Sequence, residues 1–272
     1  ESTTQPGDLV IEVSCRSGGY VAEVLAAGRR ALAVNLNPVA LLWAHLDLNP
    51  VPFGELQAAV TQLGDAPKSG RPLISHLRDL YASRCPLCNH VGVAEWFAWE
   101  RDNGRPYAKR VRCPACKTSY EGPVDDQDLA SAGEFPATQG PAYHLALGRA
   151  APPEDRLRSR AADLVQLYTR RNLSALMDIL YRLPQIDAPL DIRRVVTGLV
   201  LDALDRGSSL APQSAPDERP RTLRPPQKFL ERNVWMLLEQ ALESYQVRSD
   251  TVPEHHAGAA PAGRLRNVAR HE

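Results

Sequence analysis

The sequence predicts an α/β chain: a βαβα unit at the front, an inserted four-cysteine ribbon, and a helical region behind. This rests on two short apolar runs flanking a helix-length segment, two Cys-x-x-Cys pairs, and helix-period apolar stripes after residue 154. The chain has 272 residues, 43% hydrophobic and 24% charged, enough for one large domain or two small ones without disulfide staples. Lys plus Arg is 32 and Asp plus Glu is 32, so the formal net charge is zero. That excludes a uniformly basic coat on nucleic acid but allows a local basic patch. No run approaches the ~18 apolar residues of a membrane span, and no charged-then-apolar leader is present, so a cytoplasmic protein without a membrane role is expected. The chain opens at Glu1 without methionine, and residues upstream are expected.

The front unit reads element by element. Leu9-Val10-Ile11-Glu12-Val13 suits a strand buried on both faces. After the loop Ser14 to Gly19, Tyr20–Ala27 has helical composition, and Gly28 fits the left-handed cap that ends it. Ala31-Leu32-Ala33-Val34 is a second buried strand. Asn37 is placed to N-cap a helix with Pro38 at its first position, running through Trp43 to Asn49-Pro50. This order implies parallel strands joined by a right-handed crossover. Residues 1–84 form this front half, with a helix at 55–63 and a loop at 64–72. The ribbon takes 85–120, a linker 121–153, helices 154–248 and a disordered tail 249–272. A proline-rich break falls at 211–227.

Cys85-Pro86-Leu87-Cys88 and Cys113-Pro114-Ala115-Cys116 lie 24 residues apart. A two-residue spacing turns both thiolates of a pair to one side, so two such knuckles complete a tetrahedral Cys₄ shell, the closed geometry of structural zinc. The gap fits a hairpin with arms Val93–Glu100 and Tyr107–Arg112, turning at Asp102-Asn103-Gly104. A redox dithiol or unrelated buried cysteines are the rival readings. Around the knuckles seven basic residues (Arg84, Arg101, Arg105, Lys109, Arg110, Arg112, Lys117) oppose three acids, interleaved with Trp96, Phe97, Trp99 and Tyr107. Arg105, Lys109, Arg110 and Arg112 are the candidate phosphate contacts for DNA or RNA. Alternatively, the aromatics are the core of a small hairpin.

The segments Val10 to Gly19 and Ala26 to Ala40, with Asn35-Leu36-Asn37-Pro38-Val39-Ala40 after the second strand, resemble the cofactor half of S-adenosylmethionine-dependent, adenine-specific DNA methylases that carry a zinc ribbon. Leu167 to Leu173 and Asn233-Val234-Trp235 resemble later helices of that family. The resemblance implies a partial Rossmann-like methyltransferase fold, with Glu12, Gly18 and Asn35 at the cofactor. The departures are specific. Glu12 stands for an aspartate, Arg16 for the first loop glycine and Asn35 for the ribose-binding carboxylate. The Asp/Asn-Pro-Pro-Tyr motif that holds the target amino group is absent: Pro152-Pro153 and Pro225-Pro226 are followed by Glu and Gln. The expectation is a degenerate or incomplete methyltransferase-like protein with structural zinc that associates with nucleic acid. Its rivals are the cofactor-binding half of a split enzyme, completed by a second chain, and a zinc-stabilised protein-interaction module without catalysis. Cys15 reads as an ordinary loop residue, His255, His256 and His271 as tail, and His90 as a minor rival zinc ligand. No Ser/His/Asp set or P-loop is present, so acyl transfer and P-loop ATP hydrolysis have no support.

Overall fold

The structure, a computed structural model, describes residues 4–133, 135–218 and 223–251. All but the first residues of the expected tail lie outside this range. The fold is mixed α/β, with ten α-helices among the described residues and a central antiparallel sheet. The chain divides into two compact units, Glu1–Ala58 with Ala188–Gly198 and Glu243–Glu272, and Ala59–Asp187 with Leu199–Leu242.

The first unit begins with β1 (Leu9–Glu12), α1 (Gly19–Ala26), β2 (Arg30–Ala33) and α2 (Pro38–Leu48), as the sequence predicts. β1 and β2 pair in parallel, Leu9 opposite Arg30 through Glu12 opposite Ala33. Gly28 has a positive φ of 72°, and the Asn37 side chain caps α2 by accepting from Val39 N–H. Cys15, Val21 and Ala44 are buried, with Leu25, Ala31, Ala33, Leu41 and Leu48 packed against them. The strands were expected to be covered on both faces; only one is. Leu9, Ile11 and Val13 on β1 and just beyond it are 50%, 54% and 74% exposed, and Leu32 on β2 and Val34 just beyond it 43% and 44%.

Further along are α3 (Phe53–Asp65), a two-residue hairpin β3 (Pro67–Lys68) and β4 (Arg71–Pro72), and α4 (Leu73–Leu80). The hairpin and α4 lie where the sequence indicates a loop and a mixed pattern. The sheet of the second unit comprises β5 (Ala82–Arg84), β6 (Val91–Glu100), β7 (Arg105–Arg112) and β8 (Ser119–Pro123) in that order. The stretch 121–153, expected as a linker, instead holds the end of β8, α5 (Asp126–Ala132) and α6 (Pro141–Ala150). A reciprocal capping box between Asp125 and Asp128 starts α5, which is what its acidic run is for. Then come α7 (Arg158–Val165), α8 (Arg170–Arg182), α9 (Leu190–Arg206), β9 (Lys228–Arg232) and α10 (Val234–Thr251).

The strand β9 was not foreseen. It pairs antiparallel with β6 from Trp96–Arg232 to Glu100–Lys228, on the side of β6 that also carries β5. The expected ribbon hairpin is thus built into a larger sheet. An irregularity between Ala94 and Trp96 shifts the phase of β6, and Ala94, Phe97 and Trp99 join one core with Tyr81, Val111, Phe135 and Phe229. The Trp99 and Phe229 rings stack at 6.1 Å. The Trp99 indole N–H donates to Glu231, which is 1% exposed and also pairs with Arg171 at 2.9 Å.

Candidate functional site

The four cysteines converge. Each knuckle is closed by the same backbone bond, Cys85 N–H to His90 O at 2.9 Å and Cys113 N–H to Thr118 O at 3.0 Å. The residue after each second cysteine takes a positive φ, 61° at Asn89 and 56° at Lys117. The two pairs are therefore conformational duplicates, held together by the β6–β7 ladder between them. All four sulfurs lie within 4.8 Å of one another, with Cys85–Cys116 at 3.7 Å and Cys88–Cys113 at 3.4 Å. The set could hold a metal ion. A tetrahedral thiolate shell with metal–sulfur bonds of about 2.3 Å puts sulfurs about 3.8 Å apart, so the donor set fits a thiophilic dication. Hydrogen bonds from Thr118 hold the Cys116 thiol down at about 6. Cys88, although lowered by the His90 N–H, is pushed up to about 12 by hydrogen bonds shared with the other cysteines. Thiolates crowded this closely repel unless a cation is shared between them. Only the four cysteines form such a cluster among the described residues; His90 is not part of it.

The candidate cofactor residues are turned inward. The Gly18 N–H at the start of α1 donates to Asp47 Oδ2 at 2.9 Å, so an internal carboxylate sits where an anionic ligand is expected. A Cβ at Gly18 would lie 2.7 Å from Asp47 Cβ and 2.9 Å from Ala44 O; glycine is needed here for the approach of α1 to α2. The Asn35 amide donates to Cys15 O at 2.7 Å and its carbonyl accepts from Asn37 N–H at 2.8 Å. Asn35 fastens the loop to the strand, its amide and carbonyl both engaged within the chain. Glu12 differs, because its Oε2 is buried without a hydrogen-bond partner. Burial, then the Glu12 charge, pushes the Cys15 thiol up.

Of the candidate phosphate contacts, Lys109 needs correcting. It is 1% exposed, and its ammonium is held by Asp128 at 2.5 Å, Asp125 at 2.8 Å and Ser83 at 2.8 Å. Phe97 lies opposite it in the ladder, on the core face. Arg101 is likewise spent inside, over the Phe135 and Phe229 rings. Arg105, Arg110 and Arg112 are exposed, Arg110 pairing with Glu121 at 2.9 Å and Arg112 with Glu95 at 2.8 Å. Trp99 and Phe97 are core, as the rival reading had it, whereas Trp96 stays half-buried at the surface with Arg110 over its ring at 5.7 Å. Beside Trp96 the structure brings Arg232, from the unforeseen strand, and a cleft of about 210 Å³ lined by Arg110, Arg112, Arg232, Asp217, Met236 and Gln240 among others. The sequence offered one signal for this strand, Phe229-Leu230 after the proline-rich break, too short to read alone. The chain matches no protein-family model, no curated protein and no solved structure.

Proposed function

We propose that this chain is a zinc-stabilised, methyltransferase-like protein that binds nucleic acid through the outer face of its antiparallel sheet and does not catalyse by itself. The observation that carries the binding reading is the outward row formed by Trp96 with Arg110 and Arg112, on the same two strands that seat the cysteine knuckles. A half-buried aromatic beside fixed arginines suits base stacking with phosphate pairing. Zinc is the ion favoured by a closed four-cysteine set; Cys85, Cys88, Cys113 and Cys116 would hold it, and with every position filled by sulfur it would brace the fold. That the donors of Gly18 and Asn35 are engaged internally supports a degenerate cofactor half, and no chemical step is assigned to it. The test is fluorescence anisotropy with labelled single-stranded DNA, RNA and duplex. Binding should weaken with salt and fall about tenfold in the Arg110→Ala/Arg112→Ala double variant. Binding that ignores both salt and the variant would sink the reading.

The split-enzyme reading is favoured by a separate pair of observations: the orphaned Glu12 Oε2 and the bare apolar face of the β1–β2 pair. Parallel sheets are normally covered on both faces, so a partner chain bringing further strands and a helix, with the missing Pro-Pro-Tyr element, would complete the sheet. Calorimetry with S-adenosylmethionine at millimolar concentration separates the two. No heat is expected from the chain alone; a clear binding isotherm lost in Glu12→Gln would favour the split enzyme.

A further inference from the structure

Two arginines of the second unit, distant in sequence from the cysteine pairs, converge on one carboxylate. Arg206, at the end of α9, and Arg232, at the end of β9, approach Asp217 Oδ1 at 3.5 Å and 2.9 Å. Both also donate to Gln240 Oε1, at 2.9 Å and 3.2 Å. The arginine side chains are only 22% and 13% exposed, whereas that of Asp217 is 77% exposed. The cations are thus set into the framework by two regular elements, with α10 supplying Gln240. Their shared counter-ion hangs from an irregular, proline-rich segment. Arg206 additionally pairs with Asp202, one turn back on α9, at 3.4 Å.

The surroundings fit a particular ligand. Arg232 stands opposite Trp96 across the β9–β6 ladder, and Trp96 stands opposite Arg110 across the β6–β7 ladder. This gives a cross-strand row, Arg232–Trp96–Arg110, of one aromatic residue between two arginines, with the Arg110 guanidinium over the ring at 5.7 Å. The cleft beside it, about 210 Å³, is smaller than the ~300 Å³ at which pockets for drug-sized ligands begin, so it has room for part of one nucleotide and not for a duplex. Guanidiniums pair with phosphate as readily as with carboxylate.

We propose that Arg206 and Arg232, positioned by Gln240 Oε1, form a seat for a nucleotide phosphate, that Trp96 stacks the attached base, and that Asp217 occupies the seat as a built-in competitor when no nucleotide is bound. The proposal rests on the nucleic-acid reading above and sharpens it: the ligand is an unpaired nucleotide, free or within a single strand, and the loop carboxylate restrains its binding. The Arg232 guanidinium holds the Asp217 carboxyl below the usual range, so the competitor is charged at neutral pH.

The test is calorimetry with a nucleoside 5′-monophosphate and with inorganic phosphate, plus anisotropy with a labelled twelve-residue oligothymidylate. Asp217→Asn should tighten the monophosphate and the strand at least fivefold. Glu218→Gln removes the same charge one residue on and should leave both unchanged. Arg232→Gln should abolish the gain, with its folding checked by thermal melting. Trp96→Ala, with its folding checked in the same way, should reduce monophosphate affinity to that of inorganic phosphate. Equal tightening by Asp217→Asn and Glu218→Gln would mean that only net charge acts and would overturn the seat. So would no tightening by Asp217→Asn while the unaltered chain binds the strand and loses it in the Arg110/Arg112 variant. If the unaltered chain binds no strand at all, the broader reading falls; the monophosphate arm still judges the seat. Tightening of the strand but not the monophosphate also overturns it.

Discussion

A buried ammonium has to be paired, and that of Lys109 is paired from three directions: Ser83 on β5, Asp125 before α5 and Asp128 within it. Removing the cation leaves Asp128, 1% exposed, as an uncompensated buried carboxylate. Lys109→Met is therefore expected to cost about 3–5 kcal/mol, read from urea unfolding, and adding Asp128→Asn should recover part of it. A loss below about 1 kcal/mol would show that the cluster relaxes around the gap. The same group sets an acid limit. Burial alone would raise the Asp125 carboxyl, but hydrogen bonds from Lys109 and the Asp128 N–H hold it below its ordinary value. A depressed folded value contributes stability that is complete above the unfolded carboxylate pKa of about 3.9 and is lost as pH falls through the folded value. Urea midpoints should therefore drop below about pH 4, with a shallower drop in Asp125→Asn. The inward aim of Lys109 was legible. In Lys109-Arg110-Val111-Arg112 the period of two puts Lys109 on the face of Val111, and the two arginines on the other. What alternation could not supply was the partners, which come from 16 and 19 residues downstream on a separate element.

At the scale of elements, α1 and α2 show a glycine placed for packing. Gly18→Ala would drive a Cβ to within 2.7 Å of Asp47 and 2.9 Å of a backbone carbonyl. A cost of about 1–3 kcal/mol is expected, seen as a lower melting temperature and faster proteolysis within residues 9–48. Unchanged melting would mean the two helices separate easily. The knuckles make the opposite case, in which local sequence decides almost everything. The Cys-Pro-x-Cys repeats give two duplicate turns. About one zinc per chain is expected by elemental analysis, and Cys113→Ser should lower both the zinc content and the melting temperature. Full stability without metal would remove zinc from the proposal. The helix α5 was illegible because it has seven residues, too few to be stable alone. It exists because its cap and first turn hold Lys109 and Ala132 packs on the core.

For the whole molecule, zero net charge conceals arginines that already have acidic partners: Arg110 with Glu121, Arg112 with Glu95, and Arg232 with Asp217, which it shares with Arg206. Binding to a single strand through three arginines should therefore show a modest salt dependence, a log–log slope of about −2. A slope near zero would exclude phosphate contact. In the first unit the bare face is itself testable. Ile11→Lys should change stability by no more than about 0.5 kcal/mol, since that side chain is 54% exposed, and should lower binding of an apolar-surface dye. A large loss of stability would mean the face is covered.

The sequence by itself determined what depends on near neighbours along the chain: the βαβα order, the Gly28 and Asn37 caps, the β6–β7 hairpin and the paired knuckles. Each is set by local steric or hydrogen-bonding preferences that a few adjacent residues express. Only the tertiary structure decided which polar groups are already satisfied. Gly18 meets Asp47 across 29 residues, Lys109 meets Asp128, and Arg206 and Arg232 meet at Asp217. A side chain's availability to a ligand depends on partners brought by folding. That is why Gly18 and Lys109 read as contacts in the sequence but are bonded within the fold, and why Arg232 came into view only once β9 was laid against Trp96.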